Sequence, residues 1–240
     1  MEAIQILVEG ETDCNFLKVL LAHMPDLPFS PPLTSSKAWQ KGASEKIPFQ
    51  YAHLTDDLIL ILSTIKGWEK VGSYKMVLEN RTIDGVPVSI QASAFLFDAD
   101  APKTPFGDPC NFGGHTARLA RLRELCAKAA SQPEIFLFPD NQSDGTLETL
   151  LLDFIPEARR REFIDGCWGA YCDCVKAHNA PYQPTLKHAI GQYAARFEKR
   201  AATKNQLYDS TFADESMWNW DSPALAPLKR FLTAFLAPNR

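Results

Sequence analysis

No stretch of this chain approaches the roughly 20 apolar residues that a membrane-spanning helix needs. Its longest runs, such as Leu58 to Leu62 and Ala94 to Phe97, are far shorter. There is no basic n-region and no small-residue cleavage site before Ile4-Gln5-Ile6-Leu7-Val8, so neither a signal peptide nor a transit peptide is read. The expected location is the cytoplasm, with no membrane partner. None of the six cysteines, at positions 14, 110, 126, 167, 172 and 174, stands in a Cys-x-x-Cys pair of the zinc-ribbon kind, so free thiols are expected. Cys167, Cys172, Cys174 and His178 lie close in sequence, but on a helix they spread around the axis. A Gly-x-x-x-x-Gly-Lys-Ser/Thr phosphate loop is also missing. Positive charge is not in excess: 25 Lys and Arg against 29 Asp and Glu give a net charge of −4, which excludes coating nucleic acid by bulk charge.

What is present is ample core material, 45% hydrophobic over 240 residues. That suffices for one large domain, or one domain with a helical appendage. Ile4 to Val8 reads as a buried strand broken by Gly10, with Thr12 placed to cap a helix reaching about Met24. Phe16, Leu17, Leu20 and Leu21 recur there at helical spacing. Residues 25–48, rich in Pro, Ser and Lys, read as a long loop or insertion. Leu58 to Thr64 reads as a strand in preference to a short helix, Trp68 to about Asn80 as a helix, and Val86 to Phe97 as a strand ending at Asp98. His115 to Ala130 is amphipathic, with Leu119, Leu122, Leu125 and Cys126 on one face, and Ile135 to Phe138 is the fourth core strand. Beyond Thr146 the pattern is helical, over about 146–154, 157–178, 184–202 and 223–236. Alternating strands and helices predict an α/β fold, with a mostly parallel four-stranded sheet in residues 1–155 and a helical region over 156–240.

In such sheets the loops at the carboxyl ends of the strands converge on one crevice. Here those loops are acidic: Glu9-Gly10-Glu11-Thr12-Asp13, Asp98-Ala99-Asp100, and Asp140 to Asp144. Carboxylates about 4 Å apart repel by roughly 4 kcal/mol at an effective dielectric near 20, so a cluster of them needs protons or a cation. Oxygen ligands without His or Cys suit Mg²⁺ or Mn²⁺ better than zinc. The competing reading is that these acids cap the helices that follow them.

At these residues the sequence resembles the TOPRIM domain of primases, topoisomerases and overcoming-lysogenization-defect nucleases. Ile6-Leu7-Val8-Glu9-Gly10-Glu11-Thr12-Asp13 looks like its strand and Glu-Gly turn, and Phe95-Leu96-Phe97-Asp98-Ala99-Asp100 like its Asp-x-Asp strand. A closer likeness, to TOPRIM-like bacterial proteins of uncharacterised function, extends over Phe138 to Leu151 and Trp220 to Leu232. The resemblance implies Glu9, Asp98 and Asp100 as catalytic residues, joined as metal ligands by Asp13 and Glu148. It implies a Mg²⁺- or Mn²⁺-dependent phosphodiesterase acting on DNA or RNA, in phage defence or nucleic-acid processing. Any ATPase would be a separate partner protein. The alternative is a regulatory module that grips metal and phosphate without cleaving.

For a nucleic-acid substrate, Arg118, Arg121, Lys199 and Arg200 on two basic helices are the expected phosphate contacts, against the plainer reading of solvated helix faces. Trp218, Trp220, Phe231 and Phe235 read as core packing in preference to a base-stacking platform.

Overall fold

The computed structural model describes residues 1–29, 32–33, 38–43, 48–72, 80–83, 85–103, 111–127, 132–178, 184–197, 207 and 209–237. β1 (Glu2–Val8) is the central strand, and from Ala3 onward every residue in it is buried. It pairs in parallel with β4 (Leu58–Thr64) on one side and β6 (Val86–Asp98) on the other. β7 (Glu134–Phe138) adds a third parallel pairing along the end of β6. These four are the strands expected from the sequence, and within them residues 4–8, 59–62, 94–97 and 136–138 are buried throughout, as strands covered on both faces should be.

The sheet is larger than expected and mixed. β2 (Gln40–Ala43) and β3 (Pro48–His53) extend it antiparallel beyond β4, and β5 (Asn80–Ile83) pairs antiparallel with the start of β6. The 25–48 reading as one loop is thus corrected at Gln40–Ala43. Gln-Lys-Gly-Ala has no apolar alternation, and this short edge strand exists through its pairing with the aromatic β3. The helix expected over 68–80 is corrected at both ends: 68–72 form 3₁₀ turns and Asn80 opens β5, while 73–79 lie outside the described residues.

Side chains alternate across the sheet. Ile4, Ile6 and Val8 face one cluster with Leu96, Phe136 and Phe138, whereas Leu7 faces another with Phe95, Phe97 and Leu137. The second face is covered by α2 (His115–Cys126) through Leu122 and Cys126. The first is covered by α1 (Glu11–Ala22), α3 (Leu147–Asp153) and the later helices. These run as α4 (Glu157–Arg159), a π-helical segment Arg160–Trp168, α5 (Gly169–Ala177), α6 (Leu186–Phe197), α7 (Asp209–Phe212) and α8 (Ala226–Phe235).

The C-terminal aromatics are core residues. Trp218 and Phe235 are buried, and the Trp220 ring stacks 6.1 Å from that of Phe16. Phe16 also meets Phe138, Phe154 and Phe212, so sheet, α1 and the C-terminal helices share one apolar cluster. Among the described residues, no helix is long and apolar enough to cross a membrane.

One backbone position fixes how the site is assembled. Asp100 and Gly145 exchange backbone hydrogen bonds of 2.7 and 3.0 Å, tying the end of β6 to the loop that enters α3. Gly145 has φ +146, and a Cβ there would lie 2.9 Å from Thr149 Oγ1 and 3.1 Å from Pro139 Cδ. Gly145→Ala is therefore expected to destabilise the protein by about 1–3 kcal/mol, read as a lower Tm in thermal melts. An unchanged Tm would show that the loop relaxes freely.

Candidate metal centre

The strand ends bring Glu9, Asp13, Asp98 and Glu148 to one cavity of about 440 Å³, which Lys66 and Lys187 also line. Each carboxylate is set by a backbone contact or by its place on a helix. Glu9 follows β1, and its Oε1 accepts from the Asp98 N–H at 3.3 Å. Asp13 reaches back to the Gly10 N–H at 2.8 Å, so α1 starts at Glu11 with Gly10 as its N-cap and Asp13 bonding back to it, not with Thr12 as its cap. Asp98, at the end of β6, accepts from the Leu147 N–H at 2.8 Å, which places its charge at the favourable end of α3. Glu148 stands in the first turn of that helix.

Asp100, two residues from Asp98, turns elsewhere. It has left-handed backbone (φ +58), is not among the cavity's lining residues, and its Oδ2 lies 2.5 Å from Arg118 Nη2. Arg118 is 1% exposed. Its Nε donates to the Phe112 carbonyl at 3.1 Å, its Nη1 lies 3.6 Å from Glu9 Oε1, and its guanidinium carbon stands 4.4 Å from the centre of the Trp68 ring.

Arg118, expected as a nucleic-acid contact, is thus an internal residue whose charge faces the acidic loops. Arg121 is half-buried, pairs with Glu124 at 2.6 Å and lies against Phe112. Lys199 and Arg200 lie outside the described residues. A signal for Arg118 was present in the sequence: at positions i, i+4 and i+8 it shares a stripe with Leu122 and Cys126, and all three are buried. Asp144 is a cap, accepting from the His115 N–H at 2.7 Å. Cys174 and His178 meet at 3.8 Å, on an exposed helix end.

Crowding shows in the proton affinities. Burial, then the charge of Asp13, pushes Glu9 up to about 8 despite the opposing charge of Arg118. Burial and then Glu148 push Asp13 up to about 7. Asp98 is raised well above the usual carboxylate range by burial, then by Asp13, Glu9 and Glu148. Among the described residues, no group of three or more His, Cys, Asp or Glu side chains stands already arranged to hold a metal ion. Repulsion between carboxylates that share a cavity is relieved by protons or by a cation.

These shifts set a sign for pH dependence. A carboxyl that binds its proton more tightly folded than unfolded stabilises the fold below its ordinary value and loses that contribution as pH rises to the raised one. For Glu9 that window runs from the ordinary 4.5 to about 8. The Tm of the metal-free protein is expected to fall across this range, and to fall less with Mg²⁺ present, because a cation replaces the protons. Thermal melts in matched buffers test this, and a Tm rising toward pH 8 without metal would contradict it.

Compared with known proteins, residues 3–237 match the family described as Protein of unknown function (DUF3226), and the chain belongs to it. No curated protein and no solved structure matches the chain.

Proposed function

We propose that this family member is a divalent-cation-dependent phosphodiesterase acting on DNA or RNA, with Mg²⁺ or Mn²⁺ held by Glu9, Asp13, Asp98 and Glu148. The observation that carries this reading is the gathering of Glu9, Asp13, Asp98 and Glu148, with Glu11 beside them, from three strand-end segments in one cavity, three of these carboxylates with raised proton affinity. The donor set fits: it is all oxygen, and a hard cation would remove the repulsion that now favours protons. The resemblance of Ile6 to Asp13 and Phe95 to Asp100 to the TOPRIM domain points the same way.

When bound, such a cation supplies charge stabilisation to a phosphoryl oxygen. The chain's own residues have separable duties. Glu9, titrating near neutrality, is suited to hold or release a proton at an attacking water or a leaving oxygen through its carboxylate oxygens. Lys66 and Lys187, lining the same cavity, offset its negative charge and attract a phosphate backbone. The amides of Gly10 and Leu147 hold Asp13 and Asp98 in orientation.

Supercoiled plasmid, single-stranded DNA and structured RNA incubated with Mg²⁺ and with Mn²⁺ test the proposal. Cleavage of any of them only when metal is present is the expected result. Metal binding with no cleavage of any substrate would select a non-catalytic metal- and phosphate-binding module instead.

A further inference from the structure

Asp100 belongs to the same Asp-x-Asp turn as Asp98, yet the fold gives the two carboxylates different surroundings. Asp98 faces the cavity, within electrostatic reach of three other acids. Asp100 is turned from it by a left-handed backbone that the paired bonds to Gly145 hold in place, and its partner is a cation the protein supplies itself. That cation is fixed. The Arg118 side chain is 2% exposed, rests on the Trp68 ring and is anchored to the Phe112 carbonyl. Its buried Nη1 has no hydrogen-bond partner, and it sits 3.6 Å from Glu9.

We infer that the acidic site is built for a single divalent cation, and that Arg118 supplies a permanent positive charge beside it, with Asp100 serving as counterion to Arg118 and not as a metal ligand. The inference rests on the metal-binding reading. A second cation beside Glu9 and Asp100 would duplicate the charge that Arg118 already provides there. Arg118 is then a positioning residue: it holds Asp100 out of the cavity and keeps Glu9 oriented toward the Asp98 amide.

The two aspartates differ in the metal-free protein. Removing the charge of Asp100 strips a buried guanidinium of its closest partner, whereas asparagine at position 98 keeps its contact with the Leu147 N–H. Thermal melts with a chelator are expected to show a Tm lower by roughly 4 °C or more for Asp100→Asn, and a smaller change for Asp98→Asn. Calorimetric titration with Mn²⁺ should show one ion per chain. Asp100→Asn should retain affinity within about tenfold, and Asp98→Asn should lose more than about 100-fold.

Two ions per chain, a Tm raised by Asp100→Asn, or equal loss of Mn²⁺ affinity in both variants would overturn the inference. If Asp100→Asn fails to fold, Arg118→Met/Asp100→Asn, which removes both charges and keeps a residue that tolerates the left-handed backbone, must restore folding, and failure there also overturns it. If wild type binds no Mn²⁺, the metal-binding reading and the single-cation assignment fall together. The Tm loss in Asp100→Asn then still decides the role of the Arg118–Asp100 pair.

Discussion

Asp98→Asn is expected to reduce metal-dependent cleavage by about 10³-fold while leaving the protein folded. The size follows from what a bound cation contributes, several kcal/mol of transition-state stabilisation, with each 1.36 kcal/mol worth a factor of ten. Folding survives because asparagine keeps an oxygen for the Leu147 N–H, so α3 retains its contact with the end of β6. Cleavage rates on the substrate found active, measured beside far-UV circular dichroism, check both halves. A folded variant that cleaves at the wild-type rate would remove Asp98 from the site.

Arg118→Met is expected to be the most destabilising single change near the site, at about 3 kcal/mol, or a Tm roughly 6–12 °C lower. Methionine fills part of the volume against Trp68, but it leaves Asp100 and Glu9 without their cation and the Phe112 carbonyl without its donor. The estimate takes the low end for a broken buried pair because the Asp100 side chain is 39% exposed, so water recovers part of the lost interaction. Urea denaturation read by tryptophan fluorescence gives the value directly. A cost below 1 kcal/mol would mean that the guanidinium is held by packing alone.

The parts of this molecule legible in its sequence are those where one physical signal dominates. Ile4 to Val8, Leu58 to Leu62 and Phe95 to Phe97 are apolar beyond what a half-exposed strand tolerates, and they form the buried parallel centre of the sheet. Because parallel strands end on the same side, the convergence of Glu9, Asp13 and Asp98 followed from the same reading, whereas Glu148 was pointed to only by the TOPRIM resemblance. The edge strands were not legible: Gln40–Ala43 is polar, and it forms because Phe49 and Tyr51 on β3 give it a partner. Nor was the separation of Asp100 from Asp98, which depends on a positive φ and a bridge to Gly145, 45 residues away in sequence. Arg118 was misplaced because charge was weighed before position. Its spacing to Leu122 and Cys126 put it on the buried stripe, where an arginine must bring its own counterions.

The cluster around Phe16 bears on how the protein comes into being. α1 begins two residues after Glu9 and lies against Trp220, Phe212 and Phe154, side chains translated some 140 to 200 residues later. A chain still growing on the ribosome therefore holds every acidic residue of the cavity long before it holds the helices that seat α1. Seating of α1, and with it the orientation of Asp13, therefore waits for the segment that carries Phe212 and Trp220.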